Sequence, residues 1–152
     1  MRIANDNFYH LIESKIADLH QIPVNGFVQE PGYSQVKNRA ALILALEYVL
    51  DAHRKKYATY WNPLTGRAAL HHLLLQKYKW PLKEIRSLDL QDSIFLLQEE
   101  LALDALPEEA KESINFFAGG TRPNTHFPEI REEEWDSTLS SRTPLKRRTP
   151  DF

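Results

Sequence analysis

From Phe8 to Phe117 the apolar residues recur at three- and four-residue spacing, and proline or glycine breaks that pattern repeatedly. No stretch alternates apolar and polar residues for long enough to make a sheet. Short amphipathic helices cannot stand alone in water, so a chain patterned this way has to pack them on one another. The expected architecture is all-α: a compact bundle of five or six helices over residues 1–120, followed by an irregular tail over residues 121–152 that is partly docked and partly disordered.

The boundaries follow from punctuation. Asn5 or Asp6 can accept the first free N–H groups of a helix carrying Phe8, Leu11, Ile12, Ile16 and Leu19, and Pro23 stops it. Residues 23–33, with two prolines and two glycines, read as a loop. Ser34 is the expected cap of a long second helix reaching about Tyr57, whose basic end, His53-Arg54-Lys55-Lys56, suits the negative end of the helix dipole. Asn62-Pro63 reads as the start of a third helix ending near Tyr78, before Trp80-Pro81. A short fourth helix follows from Pro81 to Arg86. Asp89 caps a fifth, with a buried stripe of Leu90, Ile94, Leu97 and Leu101, and Pro107 opens a sixth that ends at Gly119-Gly120. In the tail, Phe127, Ile130, Trp135 and Leu139 can dock on the helical body, while the last eleven residues, with Arg-Thr-Pro at 142–144 and 148–150 around Lys146-Arg147-Arg148, read as mobile.

Composition narrows the function classes. With 42% hydrophobic and 26% charged residues among 152, the chain has enough apolar material for one ordinary core. The apolar run Ala40–Leu46 is far short of a membrane span, the first residues lack a leader pattern, and no membrane association is expected. There is no cysteine, which removes thiolate metal sites and thiol nucleophiles, and a cytoplasmic location is expected. The net charge of −2 conceals a strong asymmetry: residues 61–86 carry five Lys/Arg against one acid, whereas residues 87–114 carry one Lys against eight acids.

Catalytic and metal signatures are weak. His71 and His72 are adjacent and so diverge by about 100° on a helix, and no His-x-x-x-His pair is present. His72 reads instead as an interhelical hydrogen-bonding or aromatic packing residue. The carboxylate pairs Glu99/Glu100 and Asp89/Asp92 are explained by solvation and dipole complement. No catalytic residue, metal ligand or cofactor site is assigned. A small hydrolase is the remote alternative, and it would require a cleft holding a strongly shifted carboxylate or histidine. A helix-turn-helix-like layout over residues 67–101 makes a DNA-binding accessory regulator the nearer one, with Lys79, Lys83 and Arg86 on phosphate. Against it, the would-be recognition helix begins Asp89-Leu90-Gln91-Asp92 and brings negative charge to the backbone.

The segments Arg67-Ala68-Ala69-Leu70-His71-His72-Leu73-Leu74, Lys79-Trp80-Pro81 and Ile85-Arg86-Ser87-Leu88-Asp89-Leu90-Gln91-Asp92 resemble small uncharacterised enterobacterial proteins encoded in prophages and other accessory regions. The likeness covers about a third of the chain. It implies a bacterial accessory protein with an immunity, antitoxin or adaptor role, and transfers no catalytic residue. With the charge pattern, it makes the leading expectation a non-enzymatic interaction module that covers a basic surface on another protein. The expected contact residues are Asp92, Glu99, Glu100, Glu108, Glu109 and Trp135. Tyr57, Tyr60, Trp61, Tyr78 and Trp80 are expected mostly to fill junctions between helices.

Overall fold

The computed structural model describes residues 5–145, so the basic run Lys146-Arg147-Arg148 and the second Arg-Thr-Pro lie outside the described residues. Eight α-helical segments, with no strand among the described residues, build an all-α body. They are α1 (Asp6–His20), α2 (Gly32–Tyr57), α3 (Arg67–Tyr78), α4 (Leu82–Ser87), α5 (Leu90–Leu96), α6 (Gln98–Leu101), α7 (Glu108–Ala118) and α8 (Leu139–Arg142). The 26-residue α2 is the axis, about 39 Å long at 1.5 Å per residue, and α1, α3, α6 and α7 all pack on it. Packed against by four other helices, α2 buries Val36, Ala40, Ile43, Leu44, Leu46 and Leu50 along a broad face, and three charged or titratable side chains with them: Arg39, Glu47 and His53.

Several boundaries differ from the sequence reading, each for a local reason. Helix α2 begins two residues before Ser34, because the Glu30 carboxylate does the capping: it accepts from the Ser34 N–H at 2.8 Å and the Ser34 hydroxyl at 2.6 Å. Asn62-Pro63 does not start α3. Asn62 Oδ1 accepts from the Leu64 N–H at 3.2 Å in a two-residue side-chain turn, and Leu64 plunges into the core at 3% exposure. Arg54 grips the returning chain at the Leu64 and Gly66 carbonyls, and Gly66, at φ +59°, supplies the left-handed turn from which α3 departs. The expected fifth helix is broken at Leu97 (φ −105°, ψ 24°) into α5 and α6, although Asp89 caps it as anticipated by accepting from the Asp92 N–H at 2.7 Å.

Beyond Gly120 the chain runs back across α2 and is held there by polar side chains of that helix. Asn38 donates to the Arg122 and Thr125 carbonyls and accepts from the Thr121 hydroxyl, and Ser34 Oγ accepts from the Arg122 N–H. Arg39 donates to the Phe127 carbonyl at 3.0 Å, the Glu129 carbonyl at 2.9 Å and the Glu134 carboxylate at 2.5 Å. Glu134, 1% exposed in a 3-10 turn over Glu132–Glu134, also meets His20 Nε2 of α1 at 2.5 Å, and the His20 ring stacks on Phe127 at 3.8 Å. A second anchor lies at the surface, where Arg67 makes a bidentate pair with Glu132, which in turn accepts from the Leu90 N–H.

These two anchors should differ sharply in worth. Truncating Glu134 to Ala strands a buried guanidinium and should lower unfolding free energy by about 3–5 kcal/mol, whereas Arg67→Ala breaks a half-exposed pair and should cost about 1 kcal/mol or less. Urea titrations of both variants followed by circular dichroism check this; equal, small losses would show that the tail does not depend on the buried pair.

Candidate functional site

The acidic stretch folds into a ridge. Asp92 and Phe95 on α5 and Glu99 on α6 follow one another at three- and four-residue spacing, and all three point outward, with Phe95 70% exposed and the Glu99 side chain 87% exposed. On one side of the ridge an open groove of about 560 Å³ is walled by Leu42, Ile94, Phe95, Leu101, Phe127 and Ile130. A smaller groove of about 350 Å³ is lined by Glu99 and Glu100 together with Val49, Ala52, Leu106 and Pro107. Leu103 and Phe116 add further exposed apolar surface in the neighbouring elements.

The six expected contact residues do not share one fate. Glu100 is bonded by Lys77 at 2.7 Å, with Glu99 at 3.7 Å from the same ammonium, and the Glu100 hydrogen bond holds Lys77 above its ordinary range. Glu108 sits beside Lys111 at 3.2 Å on α7 but is 84% exposed, and Glu109 turns one carboxyl oxygen into the protein. Trp135 is 6% exposed and buried in the core, so it holds the tail down rather than facing outward. Asp92 and Glu99, with Phe95 between them, are the members that combine exposure with an apolar neighbour. The sequence reading missed Phe95, whose signal was an aromatic on the solvent side of the Leu90-Ile94-Leu97 stripe.

Among the aromatics expected at junctions, Tyr57 and Tyr78 do pack against the core. Tyr60 and Trp61, however, are 90% and 88% exposed at the tip of a turn closed by reciprocal Thr59–Asn62 backbone hydrogen bonds. Lys79, Lys83 and Arg86, the residues of the DNA-binding alternative, are exposed around the end of α3 and on α4, while the seven-residue α5 presents Asp89 and Asp92 at its start.

Two further polar constellations are buried or partly buried among the described residues. His53 Nε2 and His72 Nδ1 are 2.7 Å apart, linking α2 to α3 beside the Tyr57 ring, so one imidazole donates to the other. Burial, then the neighbouring His72, Lys56 and Arg54, push His53 down to about 4, which keeps His53 neutral at ordinary pH. No group of three or more His, Asp and Glu able to hold a metal ion occurs among the described residues.

The second constellation is a cavity of about 150 Å³ between α1, α2 and the C-terminal segment. Glu47 forms part of its wall at 1% exposure; its Oε1 accepts from the Trp135 indole N–H at 2.6 Å, and its Oε2 has no protein partner. Desolvation raises Glu47 to about 7, opposed by the Trp135 hydrogen bond and Arg54 and assisted by Asp136 and Asp51. Glu47 lies on the same inward stripe as Ile43 and Leu50, a lone carboxylate on an apolar face that the sequence reading passed over.

Comparison with known proteins finds no matching family model, no matching curated protein and no matching solved structure.

The sign of the Glu47 shift fixes a pH dependence. The folded state holds this proton more tightly than the unfolded state, so the protonated group favours folding below about 4.5 and that advantage is lost as pH rises through about 7. Glu47→Gln keeps an acceptor for Trp135 and cannot ionise. Relative to wild type, it should gain about 3 kcal/mol of stability between pH 4.5 and 8. Parallel denaturant titrations across that range measure the difference, and a flat difference would contradict a buried, reluctantly ionised carboxyl.

Proposed function

We propose that the protein is a non-enzymatic interaction module of the immunity, antitoxin or adaptor kind, which uses the α5–α6 ridge to receive a basic amphipathic segment of another protein. The observation that carries this reading is Phe95, 70% exposed at the lip of an apolar groove and flanked by the outward carboxylates of Asp92 and Glu99. An exposed aromatic beside an apolar trough gives a place for buried contact area, and negative charge at its edge selects and steers a positively charged partner. Lys77 partly neutralises Glu99 and Glu100, so Asp92 and Glu99 at the ridge supply the attraction rather than a continuous acidic face.

The DNA-binding alternative is less supported. Its basic residues lie around α4, and the first turn of α5 offers Asp89 and Asp92 to any phosphate approaching that helix. The reading as a hydrolase has one carboxyl raised among the described residues, Glu47, and it lines a cavity of about 150 Å³ rather than a substrate-sized cleft.

Fluorescence anisotropy with labelled peptides of one apolar pattern, in basic and acidic versions, tests the proposal. The basic version should bind preferentially. Phe95→Ala should weaken it at least tenfold, about 1.4 kcal/mol or more, and a double Asp92→Lys, Glu99→Lys variant should weaken it further and flatten its salt dependence while leaving the circular dichroism spectrum intact. Equal binding of the acidic peptide, or no effect of Phe95→Ala, would remove the proposal. A duplex-DNA shift abolished by neutralising Lys79, Lys83 and Arg86 would favour the regulator instead.

A further inference from the structure

We propose that the cavity between α1, α2 and the C-terminal segment binds a small organic cation, a primary ammonium on a short alkyl chain, through the carboxylate of Glu47. This rests on geometry independent of the ridge. Three carboxylates line the cavity, and two are already served by protein donors: Glu134 by Arg39 and His20, and Asp136 by the Thr138 N–H and hydroxyl and by Arg142. Glu47 is the exception, with one oxygen bonded to Trp135 and the other left without a donor at 1% exposure. A buried acceptor in that condition costs free energy until a donor reaches it.

The remaining walls define what that donor is attached to. Leu11, Ile12, Ile43 and Leu139 give an apolar lining, and a volume of about 150 Å³ takes a molecule of roughly six heavy atoms. An ammonium head satisfies the free oxygen and the charge at once, and a short alkyl chain covers the apolar wall. An anion would meet the unserved carboxylate oxygen of Glu47. A cation without an apolar part gains nothing from the lining, and a long polyamine would meet Lys15 from α1 and Arg142 from α8, both of which also line the cavity. The charges facing Glu47 are Asp51 and Arg54 on its own helix and Asp136 from the tail; Lys15 of α1 acts on that Asp136.

The Trp135 indole N–H is a built-in reporter, since it bonds directly to Glu47. In ¹⁵N-labelled full-length protein, Trp61→Phe and Trp80→Phe identify the indole signals of the two exposed tryptophans and leave that of Trp135. Propylammonium should produce a saturable shift of the Trp135 signal, tighter at pH 8 than at pH 6. Sodium and tetramethylammonium, which cannot donate a hydrogen bond, should not. Glu47→Gln should weaken the response at least tenfold, and Leu139→Phe, which narrows the apolar wall and leaves the carboxylate in place, should abolish it. Absence of a saturable shift at pH 8, an equal response to sodium, or undiminished binding in either folded variant would each overturn the proposal.

Discussion

The contact between Arg39 and Glu134 constrains this molecule more than any other. A guanidinium cannot shed its charge, and at 3% exposure Arg39 has to find donors' worth of acceptors inside the protein. It finds them 88 to 95 residues later, in two backbone carbonyls and one carboxylate of the tail. Because the acceptors come from the last quarter of the chain, the central helix and the tail cannot reach their final positions separately. Glu134 in turn joins His20 of α1, so one carboxylate ties the first helix, the second helix and the tail together.

Both candidate sites are consequences of that tie. With Phe127 and Ile130 drawn down beside Leu42, the tail becomes one wall of the groove behind Phe95. With Trp135 laid over α2, its indole reaches Glu47 and the tail forms one wall of the second cavity. Polar groups of α2 therefore do two kinds of work along one helix. Ser34, Asn38 and Arg39 hold the tail through its backbone, and Glu47 keeps one acceptor unspent.

The surface chemistry follows from a different balance. Acidic residues dominate residues 87–114, yet a single lysine from α3 draws in Glu100 and part of Glu99, and Lys111 attends Glu108. Net charge per segment is therefore a poor guide to where an electrostatic face lies, since partners folded in from other segments cancel it locally. What survives is narrower and more specific: two outward carboxylates around an exposed phenylalanine.

The sequence by itself determined the helical class, the capping of α5 by Asp89, the end of α7 at Gly119 and most of the apolar stripe from Phe8 to Leu97, because each depends on residues within a turn or two of one another. It also carried, unread, the lone Glu47 and Arg39 on the inward side of α2. Only the tertiary structure decided what those two charges meet, that Leu64 rather than Asn62 directs the approach to α3, that Trp135 faces in and that Tyr60 and Trp61 face out. The physical reason is range: periodicity and caps are local, whereas the partner of a buried charge is chosen by which distant segment the packing brings within hydrogen-bond reach.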